Sequence, residues 1–185
     1  IAIMLPWRNL KRFYQKTLTQ PRYAFKVLIK RLQAYVRYFY SEGRSCFPEA
    51  ITLFLTHRCN LRCKICGQWG EAGVTKKQSA RYMQEELSLI ELQQIIDDVS
   101  IGRPNITLFG GEPLLYQGTP ELITYIKQKG MHCLMITNGF LVDTMAEAIV
   151  ESGLDELNVS LDGARELHDQ IRGMSGLFDK IMNGL

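Results

Sequence analysis

Hydrophobic and polar positions follow two different patterns along the chain, and the pattern changes near residue 50. Beyond that point, short apolar runs with strand spacing alternate with stretches in which apolar residues recur every three or four positions. Four strands are predicted, at Ile51–Thr56, Asn105–Phe109, Met131–Thr137 and Glu156–Leu161. Because a helical stretch follows each strand, the fold class is α/β with a parallel sheet.

Capping residues and glycines mark the ends of the predicted helices. Ser88 opens a capping box before the first of them, and Asp143 is predicted to cap the third. Gly130 and Gly153 end the second and third helices. A doubly wound sheet and a barrel both fit this order of elements. In either fold, functional residues belong at the carboxyl ends of the strands.

The first 45 residues have the pattern of two basic helices on either side of Pro21. In the second, Arg22, Lys26, Lys30 and Arg37 fall on one stripe. Apolar residues occupy much of the remaining surface, namely Val27, Leu28, Leu32, Tyr35, Val36 and Phe39. Small residues and proline between positions 41 and 48 predict a boundary. We therefore expect a basic amphipathic helical extension over residues 1–46 and a core domain over residues 47–185.

Charge divides the chain at the same place. Residues 1–45 contain ten of the 22 Lys and Arg residues and only one of the 19 Asp and Glu residues. The rest of the chain therefore has 12 basic and 18 acidic residues. One interpretation is an extension packed on a domain with solvated cations. The other is a surface for anionic lipid or an acidic partner, which would make this a membrane-recruited protein. No nucleic-acid partner is expected, because no binding motif accompanies the charge.

Composition narrows the class of protein further. With 185 residues, 46% of them hydrophobic and 22% charged, the chain is long enough to bury a core. No apolar run approaches the roughly 18 residues that a membrane span needs, and no signal peptide is recognisable. The chain begins at Ile1 and its last residues continue a helical pattern, so we expect a piece of a longer protein. We expect it in the cytoplasm, peripheral to the inner face of the membrane if the extension binds lipid.

Three of the five cysteines, Cys59, Cys63 and Cys66, lie within eight positions after the first strand. An odd cysteine count with such a cluster indicates a metal site rather than a disulfide framework. Electron-carrier clusters commonly take four cysteines, so three would leave one iron of a [4Fe–4S] cluster open to a substrate or cofactor. Cys46 is the alternative fourth ligand, which would give a closed, non-catalytic zinc or iron–sulfur module.

This spacing resembles the signature of the radical S-adenosylmethionine (radical SAM) superfamily. Gly110-Gly111-Glu112-Pro113 is similar to the family's GGEP motif after the second strand. Three further motifs are similar to those of its peptide-modifying, SPASM-associated branch, namely Thr137-Asn138-Gly139, Ser160-Leu161-Asp162-Gly163 and Ile171-Arg172-Gly173. The resemblance covers about residues 48–185. It implies a partial parallel (βα) barrel in which four of about six units are present.

The resemblance also implies a reaction. Cys59, Cys63 and Cys66 would bind three irons of a [4Fe–4S] cluster, and S-adenosylmethionine (SAM) would chelate the fourth. An electron from a flavodoxin- or ferredoxin-like donor would cleave SAM to a 5′-deoxyadenosyl radical, which abstracts hydrogen from the substrate. A peptide or protein is the first expectation for that substrate, and a small or lipid-like molecule the second. The fragment alone is not expected to hold the whole pocket.

Seven residues at the strand ends are implied as SAM contacts. Gly110 and Gly111 would let the backbone approach the ligand, and Glu112 would hold the methionyl ammonium. Ser160 and Asp162 would contact the ribose hydroxyls or the methionyl group, or else form a turn and helix cap. Two further candidates close the set: Asn138, as a ligand contact or a turn residue, and Arg172, as partner of the SAM carboxylate or a surface residue.

The sequence departs from the family pattern at one position. The family usually carries an aromatic residue just before the third cysteine, near the adenine, and Ile65 stands there instead, with Trp69 close by. Cys133 lies within a predicted strand and is expected to be a small buried side chain. The three histidines, His57, His132 and His168, are expected to have structural or surface roles rather than to bind metal.

Overall fold

The computed structural model describes residues 11, 14–15, 17–40 and 44–185. The chain divides into two compact units, Ile1–Glu49 and Ala50–Leu185. No helix among the described residues has both the length and the apolar character needed to cross a membrane.

The first unit contains one long helix, α1, over Pro21–Tyr40. The predicted break between two helices at Pro21 is therefore the start of this helix. Proline suits the first helical position, because the N–H group that it lacks would have no partner there. Residues 11, 14–15 and 17–19 are also helical, while the remainder of the first predicted helix and residues 41–43 of the predicted boundary lie outside the described residues. The Arg31 guanidinium pairs with the Glu49 carboxylate at 3.0 Å.

The second unit alternates strands and helices as the sequence predicts. Its elements are β1 (Ala50–Phe54), α2 (Ala80–Met83), α3 (Leu89–Ser100), β2 (Asn105–Phe109), a 3₁₀ turn (Pro113–Leu115), α4 (Thr119–Gln128), β3 (Cys133–Thr137), α5 (Val142–Glu151), β4 (Glu156–Val159), α6 (Arg165–Arg172) and α7 (Leu177–Gly184).

The four strands form one parallel sheet in the order β1-β2-β3-β4. A doubly wound sheet reverses its strand order at a switch point, and no such reversal occurs between these strands. The order is that of consecutive units of a barrel wall. The structure therefore selects the partial barrel from the two folds that the sequence left open.

The two faces of the sheet differ in burial. One face carries fully buried side chains, including Ile106, Leu108 and Met135, which pack against apolar residues of α3, α4 and α5. The strand register places the alternate residues on the opposite face, among them Phe54, Phe109 and Ile136. Phe54 is 43% exposed and Phe109 36% exposed. This second face, called the open face below, adjoins the carboxyl ends of the strands.

Element ends differ from the predictions at a few positions. The fourth strand ends at Val159 rather than Leu161, although the Ser160 N–H still donates to the Thr137 carbonyl at 3.0 Å. The prediction that Asp143 caps α5 is wrong, because Leu141 occupies the cap position without a side-chain hydrogen bond. Asp143 lies in the first turn instead, where its carboxylate pairs with Lys180 of α7 at 2.5 Å. The predicted weak helical stretch after β4 is resolved into α6 and α7.

The predicted capping box at the start of α3 is present. Ser88 Oγ accepts from the Glu91 N–H at 3.3 Å, and the Glu91 carboxylate accepts from the Ser88 N–H at 2.7 Å. We expect Ser88→Ala to lower the free energy of unfolding by about 1 kcal/mol, since it leaves an N-terminal N–H unpaired. Urea unfolding would measure the change, with Ser100→Ala at the other end of α3 as the control. Equal stability of the two variants would contradict the prediction.

Candidate active site

The three clustered cysteines line one cavity of about 340 Å³ at the carboxyl ends of the strands. Residues at the ends of the other three strands join them in its wall, namely Gly110, Gly111, Thr137, Asn138 and Ser160. The wall is completed by Ile65, Gly67, Gln68, Phe109, Ile136 and Arg172. Parallel strands bring these distant positions together because all their carboxyl ends lie at one edge of the sheet.

The cysteine loop is held against the end of the chain rather than against the main core. Leu61 and Cys63 pack with Leu177 and Ile181 of α7 in a separate buried cluster. The Lys64 N–H donates to the Ile171 carbonyl at 2.9 Å, which fixes the loop to the end of α6. The loop geometry therefore depends on the two C-terminal helices.

Backbone N–H groups point at two of the sulfurs. Cys59 Sγ accepts from the Leu61 N–H at 3.4 Å. Cys66 Sγ accepts from the N–H groups of Gln68 and Trp69 at 3.4 and 3.3 Å. Hydrogen bonds of this kind stabilise negative charge on sulfur, as iron–thiolate ligation requires.

The third sulfur has a cationic neighbour. Arg172 Nη1 donates to Cys63 Sγ at 3.8 Å, and Arg172 Nε donates to Asp162 Oδ2 at 2.6 Å. Asp162 and Arg172 were predicted as separate SAM contacts, whereas the structure pairs them with each other. Asp162 does not line the cavity, and its N–H donates to His168 Nδ1 at 3.3 Å. Both side chains are largely buried, at 20% and 13% exposed.

Burial is the largest influence on the acidity of two of the thiols. It raises the pKa of the Cys59 thiol and of the Cys63 thiol, although hydrogen-bond donors and the Arg172 charge oppose the shift. Burial thus favours the protonated form of both thiols. Binding of a metal centre would have to displace those protons, which is the ordinary coupling of thiolate ligation to proton release.

Glu112 lies behind the cavity wall and is completely buried. Its carboxylate accepts from the Leu114 N–H at 3.1 Å, the Thr137 hydroxyl at 2.7 Å and the Asn138 N–H at 2.8 Å. These bonds tie the end of β2 to the end of β3. All three of these hydrogen bonds are internal to the protein, and Glu112 does not line the cavity in which SAM is expected. Its contact with the methionyl ammonium stays a prediction.

Gly110 and Gly111 are required by packing between protein segments. A Cβ at Gly110, whose φ is +153°, would lie 2.7 Å from the Thr56 carbonyl oxygen, and one at Gly111 would overlap the carbonyl oxygen of Arg58. The Gly111 N–H donates to that Thr56 carbonyl at 2.7 Å. In the direction of a Cβ, the space next to both glycines is thus occupied by the backbone that leads into the cysteine loop. Both glycines also line the cavity, and their contact with SAM stays a prediction.

We expect Gly111→Ala to destabilise the protein by about 2 kcal/mol, because the new methyl group must displace backbone atoms. Gly67→Ala is the matched control in the same cavity wall, since a Cβ there meets no atom within 4 Å. Thermal unfolding of both variants would test this. Similar melting temperatures of the two variants would contradict the prediction, since the backbone at residue 58 would then be able to move away from the new methyl group.

Asn138 has two polar contacts in the cysteine loop. Its Nδ2 donates to Asn60 Oδ1 at 2.8 Å and lies 3.8 Å from Cys59 Sγ, while its Oδ1 accepts from the Phe140 N–H at 2.9 Å. It is thus both a turn residue and a contact of the loop. Asn60 was missed by sequence reasoning, since a polar residue between two cysteines carries no distinctive signal.

The residues present fit an iron–sulfur cluster. Within the described part of the chain, no three His, Cys, Asp or Glu side chains are arranged to hold a single metal ion. A cluster has no such need, because each cysteine binds a different iron. Cys133 is fully buried in β3, and burial raises the pKa of its thiol to about 12. It is therefore a packed side chain, as expected, and an unsuitable ligand.

Several side chains near the site have structural contacts that the sequence did not predict. Arg58 forms a two-point ion pair with Glu86, at 2.7 and 2.9 Å, which joins the loop to the segment before α3. His57 stacks on Tyr82 with ring centroids 4.5 Å apart, and His168 is buried against Phe178. Trp69 lies under the Arg62 guanidinium, 3.9 Å from the ring centroid, and does not line the cavity.

A partial parallel barrel with three cysteines at its first strand end defines an iron–sulfur enzyme class. The sequence profile described as "Radical SAM superfamily" matches residues 53–185. The chain therefore belongs to the radical SAM superfamily, whose members use a [4Fe–4S] cluster and SAM and need a reductant and a substrate.

Similar proteins include enzymes of tetrapyrrole synthesis. The chain is 42% identical over 133 residues to Fe-coproporphyrin III synthase of Methanosarcina barkeri, covering 71% of this chain and 31% of that protein. It is 36% identical over 141 residues to an AdoMet-dependent heme synthase of the same organism, covering 75% of this chain and 38% of that protein. The chain thus spans about a third of the length of these relatives.

The fold is also found in solved structures. Streptococcus suis SuiB bound to its precursor peptide SuiA superposes with a TM-score of 0.61 and 16% identity, covering 88% of this chain and 33% of SuiB. SuiB bound to S-adenosylmethionine gives the same TM-score with 14% identity. These similarities confirm the α/β partial-barrel prediction.

Proposed function

We propose that Cys59, Cys63 and Cys66 bind three irons of a [4Fe–4S] cluster whose fourth iron takes SAM, and that the complete protein is a radical SAM enzyme. The observation that carries the proposal is the arrangement of three cysteine sulfurs around one cavity, each with a hydrogen-bond donor. When bound, the cluster and SAM supply a carbon radical that removes a hydrogen atom from the substrate.

The chain's own residues would orient the ligands and limit water access. Ser160 and Asn138 present polar groups in the cavity wall, and Ile65, Phe109 and Ile136 supply apolar surface. Ile65 is 70% exposed and occupies the position where the family usually has an aromatic residue, so an aliphatic contact with the adenine is proposed there. Gly110, Gly111 and Glu112 would set the shape of the wall through the contacts described above.

Anaerobic reconstitution of the full-length protein with iron and sulfide tests the proposal. We expect about four irons per chain, a change in the electron paramagnetic resonance spectrum on adding SAM, and 5′-deoxyadenosine after reduction. A single bound zinc, or a cluster whose spectrum ignores SAM, would overturn the proposal in favour of the non-catalytic metal module. Cys46→Ala separates these outcomes, because only the closed module needs that thiol.

For the substrate, a tetrapyrrole is better supported than the peptide that the sequence motifs favoured. The relatives at 42% and 36% identity are named for coproporphyrin and heme chemistry, whereas the peptide enzyme SuiB shares the fold at 16% identity. Phe54, Phe109 and Ile136 form an apolar row across neighbouring strands of the open face. Such a row suits the flat face of a macrocycle.

Titration with iron-coproporphyrin III, followed by its absorption band, tests this assignment. We expect Phe109→Ala to weaken binding about tenfold, since a well-packed aromatic contact is worth about 1–1.5 kcal/mol. Val150→Ala on the exposed side of α5 is the control. If the wild-type protein forms 5′-deoxyadenosine yet binds no tetrapyrrole, the substrate class is wrong, and a peptide becomes the leading candidate.

We also propose that residues 1–46 form an extension distinct from the core domain at residues 47–185, and that this extension holds the protein at the inner, cytoplasmic face of an anionic membrane. Seven large apolar side chains lie on one side of α1 and are all exposed, namely Phe25, Leu28, Ile29, Leu32, Tyr35, Val36 and Phe39. The helix has five cations and no acidic residue. This combination is typical of helices that lie in a membrane interface.

Sedimentation with phosphatidylglycerol-containing vesicles tests the extension. We expect binding that weakens as salt rises, and loss of binding when Leu32 and Val36 are both replaced by glutamate. Glu substitution of the exposed Ile101 in the second unit is the control. Vesicle binding that survives the double substitution would eliminate this role for α1.

A further inference from the structure

The segment from Arg62 to Arg81, called the basic loop below, includes Cys63 and Cys66 of the cysteine cavity and also lines a second cavity. We propose that it is the docking surface for an acidic protein that carries one electron, of the flavodoxin type. The inference rests on the proposed function, because it assigns the place where the cluster receives its electron.

Positive charge is concentrated in this loop. The second unit has 12 Lys and Arg against 17 Asp and Glu, so it is acidic as a whole. Five of those cations lie in the basic loop, which has one acidic residue, Glu71. The cations are Arg62, Lys64, Lys76, Lys77 and Arg81, and all five are exposed. An acidic protein is therefore attracted to this part of an otherwise repelling unit.

A second cavity, of about 560 Å³, lies within the loop. Arg62, Lys64, Lys76, Trp69 and Glu71 are among the residues that line it. Cys63 lines both this outer cavity and the inner one, although only 7% of its surface is exposed. One residue thus separates the basic surface from the space proposed for the cluster.

A hydrogen bond also connects the outer cavity with a cysteine of the inner one. The Trp69 N–H donates to Cys66 Sγ at 3.3 Å, while the Trp69 side chain lines the outer cavity. The indole N–H donates to the His57 carbonyl at 3.0 Å, and the Arg62 guanidinium covers the ring. The loop therefore presents a fixed aromatic and cationic surface. The backbone N–H of its tryptophan is hydrogen-bonded to Cys66, a proposed cluster ligand.

Electron transfer at this surface balances without a further reactant. A flavodoxin hydroquinone would give up one electron and become the semiquinone, and the oxidised cluster would gain that electron. The acidic surface of the carrier would meet the lysines while its flavin approaches the outer cavity. Association of this kind is steered by charge and weakens with salt.

Stopped-flow reduction of the reconstituted full-length protein by flavodoxin hydroquinone tests the inference. The variant replaces Lys64, Lys76 and Lys77 with glutamine. Among the described residues, none of these three side chains forms an ion pair, and none is proposed to bind the cluster or SAM. The matched control removes the same charge elsewhere in the unit, as Arg103→Gln, Lys129→Gln and Arg165→Gln.

At low salt we expect the lysine variant to be reduced at least about tenfold more slowly than the wild type, with a flatter salt dependence. The control variant should behave like the wild type. Iron content and reduction by a photogenerated deazaflavin radical should be equal in all three proteins, which shows that the cluster itself is intact.

Equal flavodoxin rates in the lysine and control variants would overturn the docking surface while leaving the proposed function in place. If the wild-type protein takes up no cluster, both the proposed function and this inference fail. Calorimetric binding of oxidised flavodoxin gives a readout independent of reduction. Binding that is unchanged by the lysine substitutions would also overturn the inference.

Discussion

Replacing Cys63 with alanine is expected to lower the iron content of the reconstituted protein from about four per chain to below one. The cavity offers three cysteine sulfurs, so the loss of one leaves two protein ligands for the cluster. Cys63 also carries the contact with Arg172, and its side chain packs with Leu177 and Ile181. Metal analysis and the visible absorption of the cluster measure this loss.

Cys133→Ala is the matched control for this prediction. It removes a thiol of equal size from β3, where the side chain is fully buried and its raised pKa of about 12 keeps it protonated. We expect full iron content and a stability loss of about 1 kcal/mol. A wild-type iron content in the Cys63 variant would refute the assignment of that cysteine as a ligand.

Glu112→Ala is expected to lower the free energy of unfolding by about 3 kcal/mol. The substitution leaves the N–H groups of Leu114 and Asn138 and the Thr137 hydroxyl without their acceptor in a buried site. Glu121→Ala, at an exposed position in the first turn of α4, should change stability by less than about 0.5 kcal/mol. Urea unfolding compares the two, and similar values would contradict the buried network.

The same carboxyl group should make stability depend on pH. Burial raises the pKa of Glu112 above its ordinary value of 4.5, although its hydrogen bonds offset part of that shift. At a pH between the pKa of Glu112 in the unfolded chain and its higher pKa in the folded chain, the native state binds more protons than the unfolded state. The contribution of protonated Glu112 to stability is therefore lost as the pH rises through that range.

Glu112→Gln tests this pH dependence. The amide retains the volume of the side chain and does not titrate, so the fall in stability above pH 4.5 should be smaller than in the wild type. Unfolding free energies measured at several pH values between 4 and 7 give the comparison. Parallel curves for the two proteins would assign the pH dependence to other groups.

Much of the core fold follows from local pattern. The strand periods, the Ser88–Glu91 capping box and the glycines that end helices are all short-range signals, and each lies where the sequence predicts. The cysteine spacing and the Gly110-Gly111-Glu112-Pro113 motif are equally local, and together they indicate the family. The failed cap at Asp143 shows the limit of such signals, because its carboxylate pairs with Lys180, 37 positions away.

The sequence by itself determined the order of strands and helices, the cysteine loop and the cofactor class, because these depend on residues close together in the chain. Only the tertiary structure decided which side chains at the strand ends face the cavity. It paired Arg172 with Asp162 and Cys63, turned Glu112 into an internal tie between two strands, and placed Trp69 outside the cavity. These outcomes depend on which distant segments come into contact. That is decided only in the folded chain, where each buried polar group needs a hydrogen-bond partner.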